Sequence, residues 1–396
     1  MKNYKLLIAV LVFDLVMISC AKEKSTEKGT FGYDVAFLKK YQKVITLKEN
    51  GGKSQLLVMP NYQGRVMTST AKGLQGNSYG WTNYDLISSG EFEEHINVFG
   101  GEDRFWIGPE GGQYSIFFKK DTEFTFENWF TPKEIDTESF DVVSSSDTEV
   151  KFKKRMSLTN YKGFVFDIEV KRDVKIFSES TIKKELGNAD LHDVDFVGYQ
   201  SYNEIINKGN KQWSKEMGLL SIWILGMYMP SPNTTVILPY KNELALNTFY
   251  FGTVPEGRLT KTNKHVLFKG DGTARFKLGL PPQNIAPFVG SYDADKNMLT
   301  IVGYTFNNET TYVNSVWRKT DIPYKGDVIN SYNDGPLENG DQLGPFYELE
   351  SSSHAKELKP KESIKHIHKT FHFEGSKEKL NEISIKILGL DLKELN

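Results

Sequence analysis

The segment from His95 to Tyr114 concentrates residue types that could recognise a polyol. Among several glycines and a proline it carries five charged or aromatic candidates, Glu102, Asp103, Arg104, Trp106 and Glu110. Glycine and proline disfavour the interior of a regular strand, so these side chains are expected on a shaped loop. There, carboxylates accept hydrogen bonds from sugar hydroxyls, an arginine donates through its planar fork, and an indole covers the apolar face of a sugar ring. The structural alternative is a buried ion pair of Asp103 with Arg104 that only braces the loops.

A second group of chemically capable residues lies near the C-terminus. Glu348 and Glu350 flank a leucine, so an extended strand would point both carboxylates to one face. Three histidines alternate along a later run, as His366, His368 and His372. Three such imidazoles could bind a metal, but no carboxylate or cysteine stands beside them at ligand spacing. We therefore expect these histidines on a solvated strand face, with no metal and no cofactor.

The elements that position these groups are predicted to be strands. Segments 151–158, 164–170 and 275–280 alternate in polarity or are rich in β-branched and aromatic residues. Turn-forming residues recur between such segments. Only residues 34–41 and 376–388 have the pattern of possible helices, and the second is equally compatible with a strand. Many short strands with few helices predict an all-β protein, built as a large sandwich or barrel.

The N-terminus carries the features of an export signal. Basic residues precede an apolar run, and small Ser19 stands before Cys20, the only cysteine of the chain. Met17-Ile-Ser followed by Cys20 resembles the lipobox of bacterial lipoproteins. The resemblance implies that residues 1–20 are a signal peptide and that Cys20 is the lipid attachment site. The alternative is a short transmembrane anchor, but the run is shorter than the ~20 apolar residues that a spanning helix needs.

The remainder predicts a soluble body on a tether. Residues 21–32 are mostly charged or small and are expected to be flexible, whereas residues 33–396 are expected to form a single domain. Lys and Arg number 49 against 51 Asp and Glu, a net charge of -2. Without a basic stripe, nucleic acid is not an expected partner. The lipid anchor would place the protein in the bacterial cell envelope, on its periplasmic or cell-surface face, with no other contact to the membrane.

Motifs near both ends resemble the aldose 1-epimerases, also called galactose mutarotases. Tyr347-Glu-Leu-Glu350 resembles a run that holds their Leu-Glu pair, and residues 358–362 resemble a turn that leads into a His-containing strand. Near the other end, residues 56–66 resemble an early strand-turn-strand that closes on Gly-Arg, here Gly64-Arg65. The chain is thus similar to an exported lipoprotein branch of this superfamily. The resemblance implies a large antiparallel β-supersandwich of galactose mutarotase-like type, with few helices.

The resemblance also implies a carbohydrate partner and an isomerase chemistry. The Leu-Glu pair makes Glu350 the base that takes the proton of the anomeric hydroxyl, while an acid must protonate the ring oxygen. The family's acid is a histidine in the middle of the chain, but residues 196–207 contain none. Candidate acids are therefore His95, Glu110 and Asp103. The expected substrate-binding residues are Arg65, Glu102, Asp103, Arg104, Trp106 and Glu348.

Two other functions fit the same residues. A lipoprotein of this fold would bind glycans without turnover if the cleft lacks an acid. Alternatively, Glu110 and Glu350 would form the carboxylate pair of a glycoside hydrolase or lyase, in which their separation sets the stereochemical outcome.

Overall fold

Alternating apolar residues form antiparallel strands along most of the chain. The computed structural model describes residues 27–250 and 253–395. The first strands are β1 (Ile45–Glu49), β2 (Ser54–Met59), β3 (Arg65–Thr70), β4 (Arg104–Gly108), β5 (Asp141–Ser145), β6 (Glu149–Thr159), β7 (Val165–Ile176), β8 (Asp195–Asn207) and β9 (Ser221–Tyr228). They are followed by β10 (Thr234–Pro239), β11 (Leu259–Lys261), β12 (His265–Lys269), β13 (Phe276–Leu280), β14 (Phe288–Asp293), β15 (Met298–Tyr304), β16 (Ile329–Asn333), β17 (Tyr347–Ser352) and β18 (Ser363–Glu374). The three strands predicted from sequence are confirmed as β6, β7 and β13.

Capping side chains define the four α-helices of the described residues. They are α1 (Phe31–Tyr41), α2 (Tyr84–Ser89), α3 (Glu179–Glu185) and α4 (Lys377–Leu388). At the start of α4, Ser376 accepts a hydrogen bond from the backbone N–H of Lys379, and Gly389 ends the helix at φ 68°. The predicted helix at residues 34–41 is confirmed, and the ambiguous segment 376–388 is a helix. The other two span less than two turns each, too short to show a helical period in the sequence.

Antiparallel pairing joins the described strands into three sheets. Their orders are β1-β2-β3, β11-β12-β10-β14-β15-β18-β8-β7-β6-β5 and β13-β16-β17-β9-β4. Strands dominate and helices are short, which confirms the predicted all-β class. In the part of the chain that the structure covers, no helix combines the length and the apolar composition needed to cross a bilayer. Cys20 and the predicted signal peptide lie outside the described residues.

The hydrophobic core lies between the five-stranded and ten-stranded sheets. Ile222 of β9 belongs to the same buried cluster as Val170 of β7, and Leu349 of β17 to the same cluster as Val302 of β15. Burying such side chains stabilises the fold by roughly 1.5–3 kcal/mol each. Successive side chains on a strand point to opposite faces. Trp223, which follows Ile222 on β9, therefore faces away from the ten-stranded sheet.

The histidines of β18 correct the expectation from sequence. His366, His368 and His372 are 1%, 0% and 0% exposed, so the predicted solvated face is wrong. The reason is topological, because β18 lies between β15 and β8 near the middle of the ten-stranded sheet. The hydroxyl of Ser351 lies 2.7 Å from His366 Nε2 and 2.8 Å from His368 Nδ1. This alternating strand is covered on both faces, and its polar face is buried against other polar groups.

Candidate functional site

The outer face of the five-stranded sheet gathers polar side chains from several strands. One row of cross-strand neighbours consists of Lys277, Tyr332, Glu348 and Met227. The adjacent row consists of Asn330, Glu350, Leu225 and Arg104. Trp106 and Trp223 are direct partners across β4 and β9. Because residues two apart share a face, antiparallel register brings side chains from distant parts of the sequence onto one surface.

A cavity of about 590 Å³ opens over this face. Its indole walls are contributed by Trp106, Trp129, Trp223 and Trp317. Its charged lining comprises Arg104, Glu110, Glu127, Arg275, Lys277, Asp341 and Glu348. The volume lies within the range of about 300–1,000 Å³ that is usual for small-molecule sites, and mixed apolar and convergent polar lining is typical of them. Four of the residues singled out from sequence therefore meet here, namely Arg104, Trp106, Glu110 and Glu348.

Lys277 is the ammonium centre of the cavity floor. Its Nζ lies 3.0 Å from Glu350 Oε2 and 4.6 Å from the ring centroid of Trp223. Trp223 Nε1 donates to the same carboxylate oxygen at 2.8 Å. Burial alone would lower the pKa of Lys277, but three neighbouring carboxyl groups, Glu350 first, outweigh it and raise that pKa. The lysine therefore stays charged in an indole-lined pocket.

Glu350 is held beneath the cavity floor. It has no exposed surface and does not line the cavity, whereas its hydrogen-bond partners Lys277 and Trp223 do. One oxygen receives both of their hydrogen bonds, while Oε1 has no hydrogen-bond partner among the described residues. The lone pairs of Oε1 are therefore free to accept a hydrogen bond.

Glu110 is the group best suited to give up a proton near neutral pH. Burial raises its pKa to about 7, against the opposing effects of Lys277 and of a hydrogen bond from Trp317. That bond runs from Trp317 Nε1 to Glu110 Oε1 at 3.2 Å. The adjacent Gly111 lies against the backbone carbonyls of residues 315 and 316, where a Cβ atom would overlap them. The glycine thus lets the two loops approach closely enough for this contact.

Glu348 lines the cavity and Glu350 does not, although both side chains lie on one face of β17. Glu348 is 5% exposed. Burial raises the pKa of Glu348 well above its usual value, and the neighbouring Glu350 carboxylate raises it further, while Lys277 opposes both. Two like charges this close are unfavourable, so Glu348 keeps its proton when Glu350 is ionised.

Arg104 and Trp106 form a stacked pair rather than two independent ligand groups. The guanidinium carbon lies 4.2 Å from the indole centroid, so the arginine covers one face of the ring. Arg104 Nη2 bonds Asp136 Oδ1 at 2.8 Å. The alternative ion pair of Asp103 with Arg104 is therefore wrong, since Asp103 pairs with Arg172 at 2.7 Å.

Three residues predicted to bind substrate do not line the cavity. Arg65, Glu102 and Asp103 each have 0% exposure. Arg65 donates to the carbonyl of Gly100 at 2.8 Å, and Glu102 accepts from Ser69 and Tyr199. Their partners are backbone groups and buried side chains, so the structure gives them bracing positions behind the sheet, and we leave them out of the candidate site.

His95, predicted as a candidate acid, lies beside Trp129 and outside the cavity. Its Nδ1 is 2.7 Å from the carbonyl oxygen of Trp129. Its ring lies between Phe126 and Phe130, at 4.6 Å from each centroid. His95 thus fixes the loop that carries Trp129 and is not part of the cavity lining.

Sequence reasoning missed Lys277, Trp223 and Trp317. The segment 275–280 was recognised as an alternating strand, and a lysine in such a strand is expected to face solvent. No local signal marks the outer face of β13 as covered by loops from elsewhere. Among the residues with described coordinates, no group of three or more His, Cys, Asp or Glu is arranged to hold a metal ion.

Solved structures share this architecture at low sequence identity. A candidate aldose 1-epimerase of Escherichia coli K12 is 11% identical, with 84% of this chain and 99% of that chain covered and a TM-score of 0.51. A protein of Synechocystis sp. PCC 6803 is 12% identical, with coverage of 85% and 96% and a TM-score of 0.50. The predicted galactose mutarotase-like supersandwich is confirmed as the fold.

The sequence itself matches a family defined without an activity. No protein of curated function matches the chain. Residues 29–396 match a family described as a family of unknown function, DUF6786. The match spans nearly the whole chain, and the protein therefore belongs to the DUF6786 family.

Proposed function

We propose that this protein binds a carbohydrate in the cavity and acts on it as an aldose-epimerase-like acid–base catalyst. The observation that carries the proposal is the cavity floor, where Glu110, Glu348 and Glu350 surround the single ammonium of Lys277 between indole walls. Burial raises the pKa values of Glu110 and Glu348, which can therefore hold protons beside the ion-paired Glu350, and such a site has the parts of both an acid and a base. The fold shared with a candidate aldose 1-epimerase is consistent with this chemistry.

In the proposed reaction, Glu350 takes the proton of the anomeric hydroxyl while Glu110 protonates the ring oxygen. The electrons of the hydroxyl form the carbonyl, the bond from the anomeric carbon to the ring oxygen breaks, and the open-chain aldehyde results. Rotation and the reverse transfers give the other anomer. Because Glu350 is buried, the side chain of Lys277 must move aside before Oε1 of Glu350 can reach the sugar. Glu110 takes the role of the family's mid-chain histidine, which is absent from residues 196–207.

Two variants test these roles. Glu350→Gln keeps the shape of the side chain but removes the base, and Glu110→Gln removes the transferable proton. Each should lower the rate of anomer interconversion by a factor of 10² or more, measured by polarimetry and exchange NMR on fresh α-anomers of hexoses and pentoses. Glu382→Gln on the exposed face of α4 is the matched control and should not change the rate. An unchanged rate in Glu350→Gln would remove Glu350 from the mechanism.

Glycan binding without turnover is the second candidate, favoured by the complete burial of Glu350. Saturation-transfer NMR on the same sugars separates the two functions. Binding with anomer exchange at the uncatalysed rate would establish the binding function and refute the catalytic one. Release of reducing ends from a glycan would instead favour the two-carboxylate hydrolase.

We also propose that the protein is anchored in the cell envelope by a lipid on Cys20. The motif at residues 17–20 supports this. Cys20→Ser should move the protein from the membrane fraction to the soluble fraction, because acyl chains contribute about 0.8 kcal/mol per buried methylene. Unchanged detergent partitioning of the variant would contradict the anchor.

A further inference from the structure

The cavity is larger than the proposed proton transfers on a single sugar ring require. The groups proposed to react all lie around Lys277, yet the cavity of about 590 Å³ continues from there to the surface. One pyranose ring over the floor would leave much of this volume to solvent. The outer part is lined mainly by side chains that have no place in the proton transfers.

An aromatic wall runs outward from the floor. Trp223, beside Lys277, contacts Trp106 at a centroid distance of 5.3 Å, and Trp106 is 6.4 Å from Trp129. Phe126 follows at 6.1 Å from Trp129 and is 50% exposed. The wall thus begins among charged groups and ends at a solvent-facing ring. Aromatic walls of this kind match the apolar faces of sugar rings while leaving hydroxyls free to bond elsewhere.

Another part of the cavity lining combines apolar and amide groups. Leu337 is 45% exposed and lines the cavity together with Asn339 and Gln342. Asn339 donates to Asp341 at 2.7 Å, and Gln342 donates to the carbonyl of Gly272, so internal bonds orient both amides. Two large exposed apolar side chains, Phe126 and Leu337, therefore border one opening, although they lie far apart in sequence.

We propose that the ligand is an oligosaccharide whose terminal residue occupies the floor at Lys277 and Glu110, and whose next residues extend past Trp129 between Phe126 and Leu337. This inference rests on the proposed carbohydrate function and names its substrate class. The terminal residue meets the ammonium and carboxyl groups. The following residues meet the indole wall and the rim amides, where apolar contact with a few polar bonds suits a repeating sugar.

The test compares malto-, cello- and galacto-oligosaccharides of one to four residues by isothermal titration calorimetry on the mature protein. In the series that binds, affinity should rise at least tenfold from monosaccharide to trisaccharide. Phe126→Ala and Leu337→Ala should remove this gain and leave monosaccharide affinity unchanged. Ile385→Ala on α4, where the side chain is also 50% exposed, is the matched control and should change neither.

Two outcomes overturn the inference, and they differ in what else they affect. Equal affinity for the monosaccharide and its oligomers, or a gain that survives both rim substitutions, refutes the extended site alone. Failure of every sugar to bind refutes the carbohydrate function as well. Circular dichroism of each variant verifies that the fold is intact, so that a loss of affinity is not a loss of structure.

Discussion

Glu110 links the site to the stability of the fold through its proton. In the folded state its pKa is raised from 4.5 to about 7, chiefly by burial. Between pH 4.5 and pH 7 the folded state therefore keeps a proton that the unfolded state has released. Stability should therefore fall as pH rises through this window, by at most roughly 1.4 kcal/mol per pH unit. Glu110→Gln should remove that slope, so that the variant gains stability over the wild type at pH 8 but not at pH 5. Urea denaturation at both pH values measures this, and an unchanged slope would show that Glu110 does not hold the proton.

Lys277 should be essential to the fold as well as to the site. Lys277→Met leaves the buried Glu350 carboxylate without its ion-pair partner, which costs roughly 3–5 kcal/mol when a buried charge is uncompensated. The double variant Lys277→Met with Glu350→Gln should recover part of this loss, because the orphaned charge is gone. Lys365→Met, whose side chain is 60% exposed, serves as the control with little effect. Equal losses in the single and double variants would mean that packing, not charge, explains the effect.

Single residues also show where prediction from sequence stops. Arg104, Trp106 and Glu110 stand close together in a glycine-rich segment of the chain, and composition alone marked that segment. Arg65 belongs to an equally suggestive Gly-Arg motif, yet its guanidinium donates to the carbonyl of Gly100 behind the sheet. Residue type and spacing identify what chemistry a side chain can do, whereas the side of a sheet on which it lies depends on long-range pairing.

The same limit on prediction from sequence applies to whole strands. Alternation predicted β6, β7 and β13 correctly because the side-chain period of a strand is a local property. It could not predict that both faces of β18 are covered, since a polar face packed on polar groups has the same pattern as a polar face in water. Only the position of β18 within a ten-stranded sheet, under a second sheet, distinguishes the two.

The buried imidazoles of β18 should make the protein sensitive to acid. Burial lowers the pKa of His366 to about 3 and that of His368 to about 4. The unfolded chain takes up these protons near the ordinary value of 6.5, so stability should fall as pH drops from about 6.5 towards 4. By NMR, the ring signals of both residues should not shift between about pH 5 and 8. The exposed His192 provides the internal reference, and titration of either β18 histidine in this range would contradict the buried assignment.

At the scale of the whole molecule, one side chain connects all three sheets. Arg172 of β7, in the ten-stranded sheet, donates to the carbonyl of Gly64 beside β3 at 3.1 Å and to Asp103 beside β4 at 2.7 Å. It also bonds Asn203 of β8 at 2.6 Å. The guanidinium is fully buried, so its planar fork fixes the relative position of groups that the sequence places far apart. The segment that follows Asp103 includes Arg104 and Trp106, and the same contact therefore supports the cavity wall.

This connection predicts that the sheets unfold together. Arg172→Met leaves Asp103 buried and unpaired, which should cost roughly 3–5 kcal/mol while preserving a single cooperative transition. Arg155→Met on the neighbouring strand β6, where the side chain is exposed, should cost little. Calorimetry together with circular dichroism and tryptophan fluorescence distinguishes the outcomes, because all three signals should share one midpoint. Separate transitions in the wild type would contradict the prediction that residues 33–396 form a single domain, and a stable Arg172→Met variant would show that the sheets are held together by the apolar core alone.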